Sequence, residues 1–239
     1  MIKKNEGNFS YYFVEPPSTR SSIMSIILYH GWGGSALNYR EYATSLARQG
    51  FTVMIPELIH HDERSLLPNA YHPKVMQTYF WKVICQSIDE CIAWLNHSNI
   101  TKENTVIAGV SMGGFIASGV FAKANLKGLA NISGSGSFIT SERIFRLATN
   151  QTPLPIEEEA MLKKYDPLSH AHGNGEVLLL HGEKDHVISI KGQEAYLAYL
   201  TNSNKKVKMK RYKNVAHEFT STMESDFLSW LEIQASVQT

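Results

Sequence analysis

The chain has 239 residues, 43% hydrophobic and 19% charged, which suits one globular domain with a sizeable core. Its 23 basic and 22 acidic side chains leave a formal charge of +1, without the basic or acidic block that marks a nucleic-acid footprint, a polybasic membrane patch or an acidic tail. Small, nearly neutral molecules are the expected partners, with neither nucleic acid nor membrane among them.

Residues 1–8 carry two lysines but no apolar stretch behind them, and no run approaches the length of a membrane span, so neither secretion nor membrane insertion is expected. The apolar, β-branched run at 23–29 predicts a first strand. It leads into His30-Gly31-Trp32-Gly33-Gly34 and then an amphipathic segment through Leu37, Tyr42, Ala43 and Leu46, which Gly50 stops. Residues 51–56 begin the next strand and complete a β-α-β unit. From Val75 to Leu95 apolar residues recur at three-and-four spacing, at Met76, Tyr79, Phe80, Val83, Ile84, Ile88, Cys91, Ile92 and Leu95, and predict a helix with one buried face. Cys85 and Cys91, the only cysteines, sit six apart on it and point in directions that cannot bridge, which agrees with a reducing cytoplasm.

Further strands are predicted at 105–110, 129–133, 176–181 and 207–212, with helices after Gly113, over 189–200 and from Thr220 onward. This alternation predicts an α/β fold, a mostly parallel, doubly wound sheet with helices on both faces. Residues 134–173 interrupt it with Gly/Ser-rich and polar helical stretches, and are read as a short lid or cap within a single domain spanning 1–239. A longer crossover holding one helix is the alternative.

The segment Gly109-Val110-Ser111-Met112-Gly113 joins a predicted strand to a predicted helix and reads as a nucleophile elbow. The pattern is short enough to arise by chance, so its partners decide. A serine hydroxyl needs a histidine base, an acid to orient that base, and donors for the oxyanion. In a doubly wound sheet such groups collect beyond the carboxyl ends of strands. Asp185 follows the strand at 176–181 and His217 the strand at 207–212, giving the order Ser111, Asp185, His217.

Other histidines fit less well. His30 and His181 precede glycines and shape loops, His97 ends the long helix, and His186 adjoins Asp185 too closely to curl back onto it. His60, His61, His72, His170 and His172 all precede the last strand. Glu183 and, more remotely, Asp166 compete with Asp185. The backbone N–H groups of Met112 and Trp32 are the expected oxyanion donors. Trp32, Tyr71, His72, Phe115 and Phe138 are candidates to line an apolar substrate pocket, with core packing the alternative for each.

His60-His61-Asp62-Glu63-Arg64 offers potential metal ligands, yet adjacent residues rarely chelate one ion from a single loop, and neither an H-E-x-x-H pattern nor a cysteine pair accompanies it. A salt-bridged, hydrogen-bonded loop beside the site is expected instead. There is no Walker pattern, and Gly134-Ser135-Gly136 lacks the third glycine of a dinucleotide fingerprint. No metal and no cofactor are therefore expected.

Through His30-Gly31-Trp32-Gly33-Gly34, Gly109-Val110-Ser111-Met112-Gly113-Gly114, His181-Gly182-Glu183-Lys184-Asp185 and His217, the chain resembles the α/β-hydrolase superfamily along essentially its whole length. Pro56-Glu57-Leu58-Ile59-His60-His61-Asp62-Glu63-Arg64 followed by Phe80-Trp81 is similar to small bacterial serine esterases on the dienelactone-hydrolase and prolyl-oligopeptidase-like branch. Dienelactone hydrolases commonly carry a cysteine nucleophile; the serine here argues for ester over enol-lactone chemistry. The oligopeptidases' propeller has no room in this chain, and Ser111 counts against the dehalogenases and epoxide hydrolases, which use aspartate at the elbow. The resemblance implies hydrolysis of a small-molecule carboxylic ester through an acyl-enzyme. Serine peptidase, thioesterase or acyltransferase activity is the nearest alternative. An idle site serving only as a small-molecule receptor is a more distant one.

Overall fold

The protein, described here by a computed structural model, is defined over residues 1–19, 21–171 and 173–236. Its strands are β1 (Ile2–Glu6), β2 (Phe9–Val14), β3 (Met24–Tyr29), β4 (Phe51–Pro56), β5 (Thr105–Val110), β6 (Gly128–Ile132), β7 (Glu176–Gly182) and β8 (Val207–Tyr212). The helices are α1 (Arg40–Arg48), α2 (Pro73–His97), α3 (Met112–Lys123), α4 (Phe138–Ala148), α5 (Ile156–Lys163), α6 (Ile190–Asn202) and α7 (Ser221–Ser236).

One sheet has the order β1-β2-β4-β3-β5-β6-β7-β8. β1–β2 and β2–β4 are antiparallel and every other pairing is parallel, which is the expected doubly wound α/β arrangement with an antiparallel margin. Strand side chains alternate between two cores. Ile27, Ile107, Leu129 and Leu179 face α2, α3 and α6, while Ile26, Val106, Ala130 and Leu178 face α1 and α7. Each fully buried Leu, Ile or Phe contributes about 1.5–3 kcal/mol relative to exposure, so the two cores hold the central strands, and the loops at their carboxyl ends, in fixed positions.

Two features depart from the sequence-based expectations. The N-terminal hairpin β1–β2 was not anticipated; it turns at Gly7, where φ is +61°, and buries Phe9 and Tyr11 against Trp94 of α2. The segment after His30 is a short 3-10 turn, Ala36–Tyr39, before α1 begins, because the Ser35 side chain and Asn38 form a reciprocal cap that fixes a separate start. Residues 134–173 hold two helices, α4 and α5, and a 3-10 turn at Pro167–Ser169. Arg146 pairs with Glu142 on its own helix and Glu158 of α5, and the Trp81 indole N–H donates to Glu142 at 2.7 Å, fastening α4 to α2.

The even charge distribution also has one exception. Lys205, Lys206, Lys208, Lys210, Arg211 and Lys213 cluster on and around β8, at the sheet edge. Cations along an exposed edge oppose pairing with another strand. Among the described residues, no helix is long and apolar enough to cross a membrane.

Candidate active site

β5 is buried along its length and leads directly into Ser111, which takes φ +56° and ψ −122° before α3 begins at Met112. That backbone is costly for a residue with a side chain, of order 1–3 kcal/mol, and it persists only where the surroundings impose it. Here they do: a methyl on Gly109 would collide with the Gly113 carbonyl, and one on Gly113 with the Tyr29 carbonyl of β3. The Ser111 N–H donates to the Ile132 carbonyl of β6 at 2.9 Å. The turn thus lifts the serine hydroxyl above the sheet at the first turn of α3.

Below it lies a buried polar network that sequence patterns did not reveal. Asn131 of β6 donates to the Gly114 carbonyl at 3.0 Å and to Ser118 Oγ at 2.7 Å, and its Oδ1 accepts from Gln193 of α6 at 2.9 Å. A side-chain amide is the one group that could satisfy both helices at once.

The loops after β7 and β8 bring Asp185 and His217 to the same place. Glu183 N–H donates to the Tyr212 carbonyl at 3.0 Å and Lys184 N–H to the Val215 carbonyl at 2.9 Å, so the two loops run in register. His217 Nδ1–H donates to Asp185 Oδ2 at 2.7 Å, and Ser111 Oγ–H donates to His217 Nε2 at 2.8 Å. Asp185 Oδ1 accepts the Val187 and Ile188 N–H groups at 2.9 and 2.8 Å, and His181 Nε2 lies 3.4 Å from Oδ2. Burial pushes the Asp185 carboxyl upward, but the hydrogen bonds from His181, His217 and Ile188 outweigh it and hold the group below the ordinary carboxylate range.

The loop carrying Trp32 abuts the elbow; a side-chain carbon on Gly31 would stand 3.1 Å from Ser111 Cβ. Neither the Trp32 N–H nor the Met112 N–H has a hydrogen-bond partner among the described residues. Met112 opens α3, where the helix dipole favours negative charge.

The five candidate pocket residues fall into different surroundings. The Trp32 indole donates to the Ala70 carbonyl at 3.0 Å and meets the His61 ring edge-on at 5.0 Å. Tyr71 is 68% exposed, with its hydroxyl packed over Gly33. His72 caps α2, its Nδ1 accepting the Lys74 N–H at 3.3 Å. Phe115 and Phe138 are wholly buried, 5.7 Å apart, and packed with Trp81. Their rings form core behind the site, and neither is assigned a substrate contact.

In the 60–64 loop the side chains diverge. His60 Nδ1 meets the Ser65 carbonyl, Glu63 pairs with Lys3, and Arg64 bridges the Glu57 carbonyl and Glu90 of α2. Asp62 accepts the Ala36 N–H at 2.7 Å and the Leu58 N–H at 3.2 Å, and lies 3.0 Å from His30 Nε2. His61 Nε2 accepts the Gly33 N–H at 3.0 Å. Two residues of this cluster therefore brace the loop that carries Trp32. Of the remaining histidines, His30 and His181 are fully buried in loop contacts, His97 and His170 bond backbone carbonyls, and His172 lies outside the described residues.

Known proteins share both sequence and architecture with this chain. Esterase YjfP of Escherichia coli (strain K12) is 27% identical over 175 residues, covering 68% of this chain and 69% of that protein. The structure of TT1662 from Thermus thermophilus superimposes with a TM-score of 0.76 at 19% identity over the whole of both chains. The acylaminoacyl peptidase of Pyrococcus horikoshii gives 0.72 at 15% identity over 97% of this chain and 40% of that one. These likenesses place the architecture in the α/β-hydrolase fold class. The sequence profile of the dienelactone hydrolase family matches residues 9–235, from the second strand into the last helix, and the chain belongs to that family.

Proposed function

We propose that the protein is a serine carboxylesterase that hydrolyses esters of small molecules through an acyl-enzyme at Ser111. The observation that carries this reading is the unbroken hydrogen-bond chain from Ser111 Oγ through His217 to Asp185. The esterase name borne by the E. coli relative supports the reaction class.

In this mechanism His217 Nε2 takes the Ser111 proton as Oγ attacks the ester carbonyl. Asp185 holds Nδ1–H, keeping Nε2 free to accept and stabilising the imidazolium that forms. The unpartnered N–H groups of Met112 and Trp32 receive the oxyanion, each donor worth about 2.7–4 kcal/mol in the transition state. Imidazolium then protonates the leaving alcohol; water, giving its proton to the same nitrogen, attacks the acyl carbonyl, and the imidazolium returns that proton to Ser111 Oγ as the acid leaves. No step calls on a metal or cofactor.

A fluorophosphonate probe is expected to label the protein at one site, and Ser111→Ala to abolish both labelling and hydrolysis of p-nitrophenyl acyl esters. Labelling retained in that variant would overturn the assignment. Acyl-thioesters and aminoacyl anilides assayed in parallel test the ester preference, since faster turnover of either would move the reading to a thioesterase or peptidase.

A further inference from the structure

We infer that His61 is a positioning residue for the oxyanion loop, accepting the Gly33 N–H as a neutral imidazole and so fixing the turn that carries the Trp32 N–H beside Ser111. This inference rests on the reading of Ser111 as nucleophile and of Trp32 as oxyanion donor.

The turn itself provides the first argument. Gly34 N–H donates to the Gly31 carbonyl at 3.1 Å, and Gly33, the third residue, has φ +69°. Together these define a type II turn with Trp32 and Gly33 at its centre. A type I turn differs mainly by a flip of the central peptide, so the orientation of the Gly33 N–H distinguishes the two. His61 Nε2 receives that N–H at 3.0 Å. The bond selects one of two available states of the Trp32–Gly33 peptide and so holds the turn in which the Trp32 N–H sits.

The second argument is tautomeric. His61 Nδ1 lies 3.1 Å from the Ile59 carbonyl, which can only accept, so Nδ1 carries the proton and Nε2 the lone pair. A doubly protonated ring would face the Gly33 N–H with a second N–H. The site cannot adapt readily, because the ring is 2% exposed and wedged between Trp32, edge-on at 5.0 Å, and His30 at 5.5 Å. The ionisable groups facing it are His30 from the β3 loop, and Asp62 and His60 from its own loop. Burial is the largest influence and lowers its pKa; the Ile59 hydrogen bond and Asp62 oppose this, and His30 and His60 reinforce it.

The role differs from that of Asp62, which ties the base of the loop through the Ala36 N–H. It also differs from that of His217, which touches Ser111 directly. His61 reaches the reaction only through a backbone turn, so its loss reduces preorganisation without removing a reacting group.

Two variants test this, with Ser111→Ala as control. His61→Phe keeps the ring between Trp32 and His30 but removes the acceptor, and kcat is expected to fall by up to about 100-fold, less than deletion of a donor outright, with KM little changed. In His61→Gln the amide oxygen reaches the Nε2 position, accepts the same N–H and has no proton to gain, so most of kcat is expected to return. The acid limb of log kcat/KM should be steeper in the wild type, where protonation of His61 adds a loss of its own of up to about 100-fold, than in His61→Gln, which has no such proton to gain.

A His61→Phe enzyme with wild-type kcat, or identical acid slopes in wild type and His61→Gln, would overturn the inference; if His61→Phe does not fold, the slope comparison decides alone. Activity surviving in Ser111→Ala would instead remove the nucleophile assignment. An inactive Ser111→Ala beside an insensitive His61 removes only the present proposal.

Discussion

Asp185 is the residue on which the candidate site converges. Its Oδ1 is committed to two backbone N–H groups and its Oδ2 to His217, so the carboxylate is fixed before any substrate arrives. Asp185→Asn should preserve the backbone bonds through the remaining oxygen, yet it turns an amide N–H toward His217 Nδ1. The ring must then adopt the other tautomer, with its lone pair on Nδ1 and its proton on Nε2, where it cannot accept from Ser111. A loss of about 10⁴ in kcat is expected, with the thermal midpoint little changed. Steady-state kinetics and a melting curve check both halves. A loss smaller than tenfold would mean that another acid, Glu183 first, can orient the histidine.

At the scale of elements, the elbow depends on how β5, β6, α3 and α6 are joined beneath it. Asn131 is fully buried and serves two helices, so Asn131→Ala withdraws the donor from Ser118 Oγ and from the Gly114 carbonyl near the Ser111 turn, and leaves the Gln193 amide only the backbone carbonyl of residue 131 at 3.2 Å. A buried polar group left without its partner costs about 1–3 kcal/mol. The variant is expected to lower the urea midpoint by a corresponding amount and to reduce kcat as the first turn of α3 loosens; an unchanged midpoint would show that the network adds nothing. This network also marks where sequence reading stops. β5, β7 and α2 were legible because buried parallel strands read as continuous apolar runs and the long helix repeats at its own period. The elbow and the loops after β7 and β8 were legible because short motifs fix local backbone and the sheet fixes their order. The β1–β2 hairpin escaped because Tyr12 interrupts the apolar alternation of Phe9-Ser10-Tyr11-Tyr12-Phe13-Val14 and the strand is partly exposed. Asn131 and Gln193 are 62 residues apart, and His61 and Gly33 28 apart; no local pattern announces pairings of that range.

For the whole molecule, the same groups that organise the site set how stability responds to acid. The folded pKa of His61 lies below its unfolded value of about 6.5, so the unfolded chain binds more protons between the two. Its contribution is complete above that unfolded value and is lost as pH falls through the folded one. In Asp62 burial pushes the carboxyl up, but the His30 hydrogen bond and charge and the Ala36 and Leu58 N–H groups carry it below the ordinary range. Asp185 and Asp226 are also lowered, the latter by Lys210 and Tyr212 against its own desolvation. Contributions from these three are complete above about pH 3.9 and vanish below it as each folded pKa is crossed. Asp166 runs the other way, since burial raises its carboxyl and the folded state binds that proton more tightly. Three lowered carboxylates against one raised give a net loss on acidification. Urea midpoints are therefore expected to decline in two stages, gently from about pH 6.5 and steeply below about pH 4. In His61→Gln the first stage should flatten and the second should persist, because the carboxylates are untouched. A first stage of equal slope in both proteins would show that His61 is not the group being titrated.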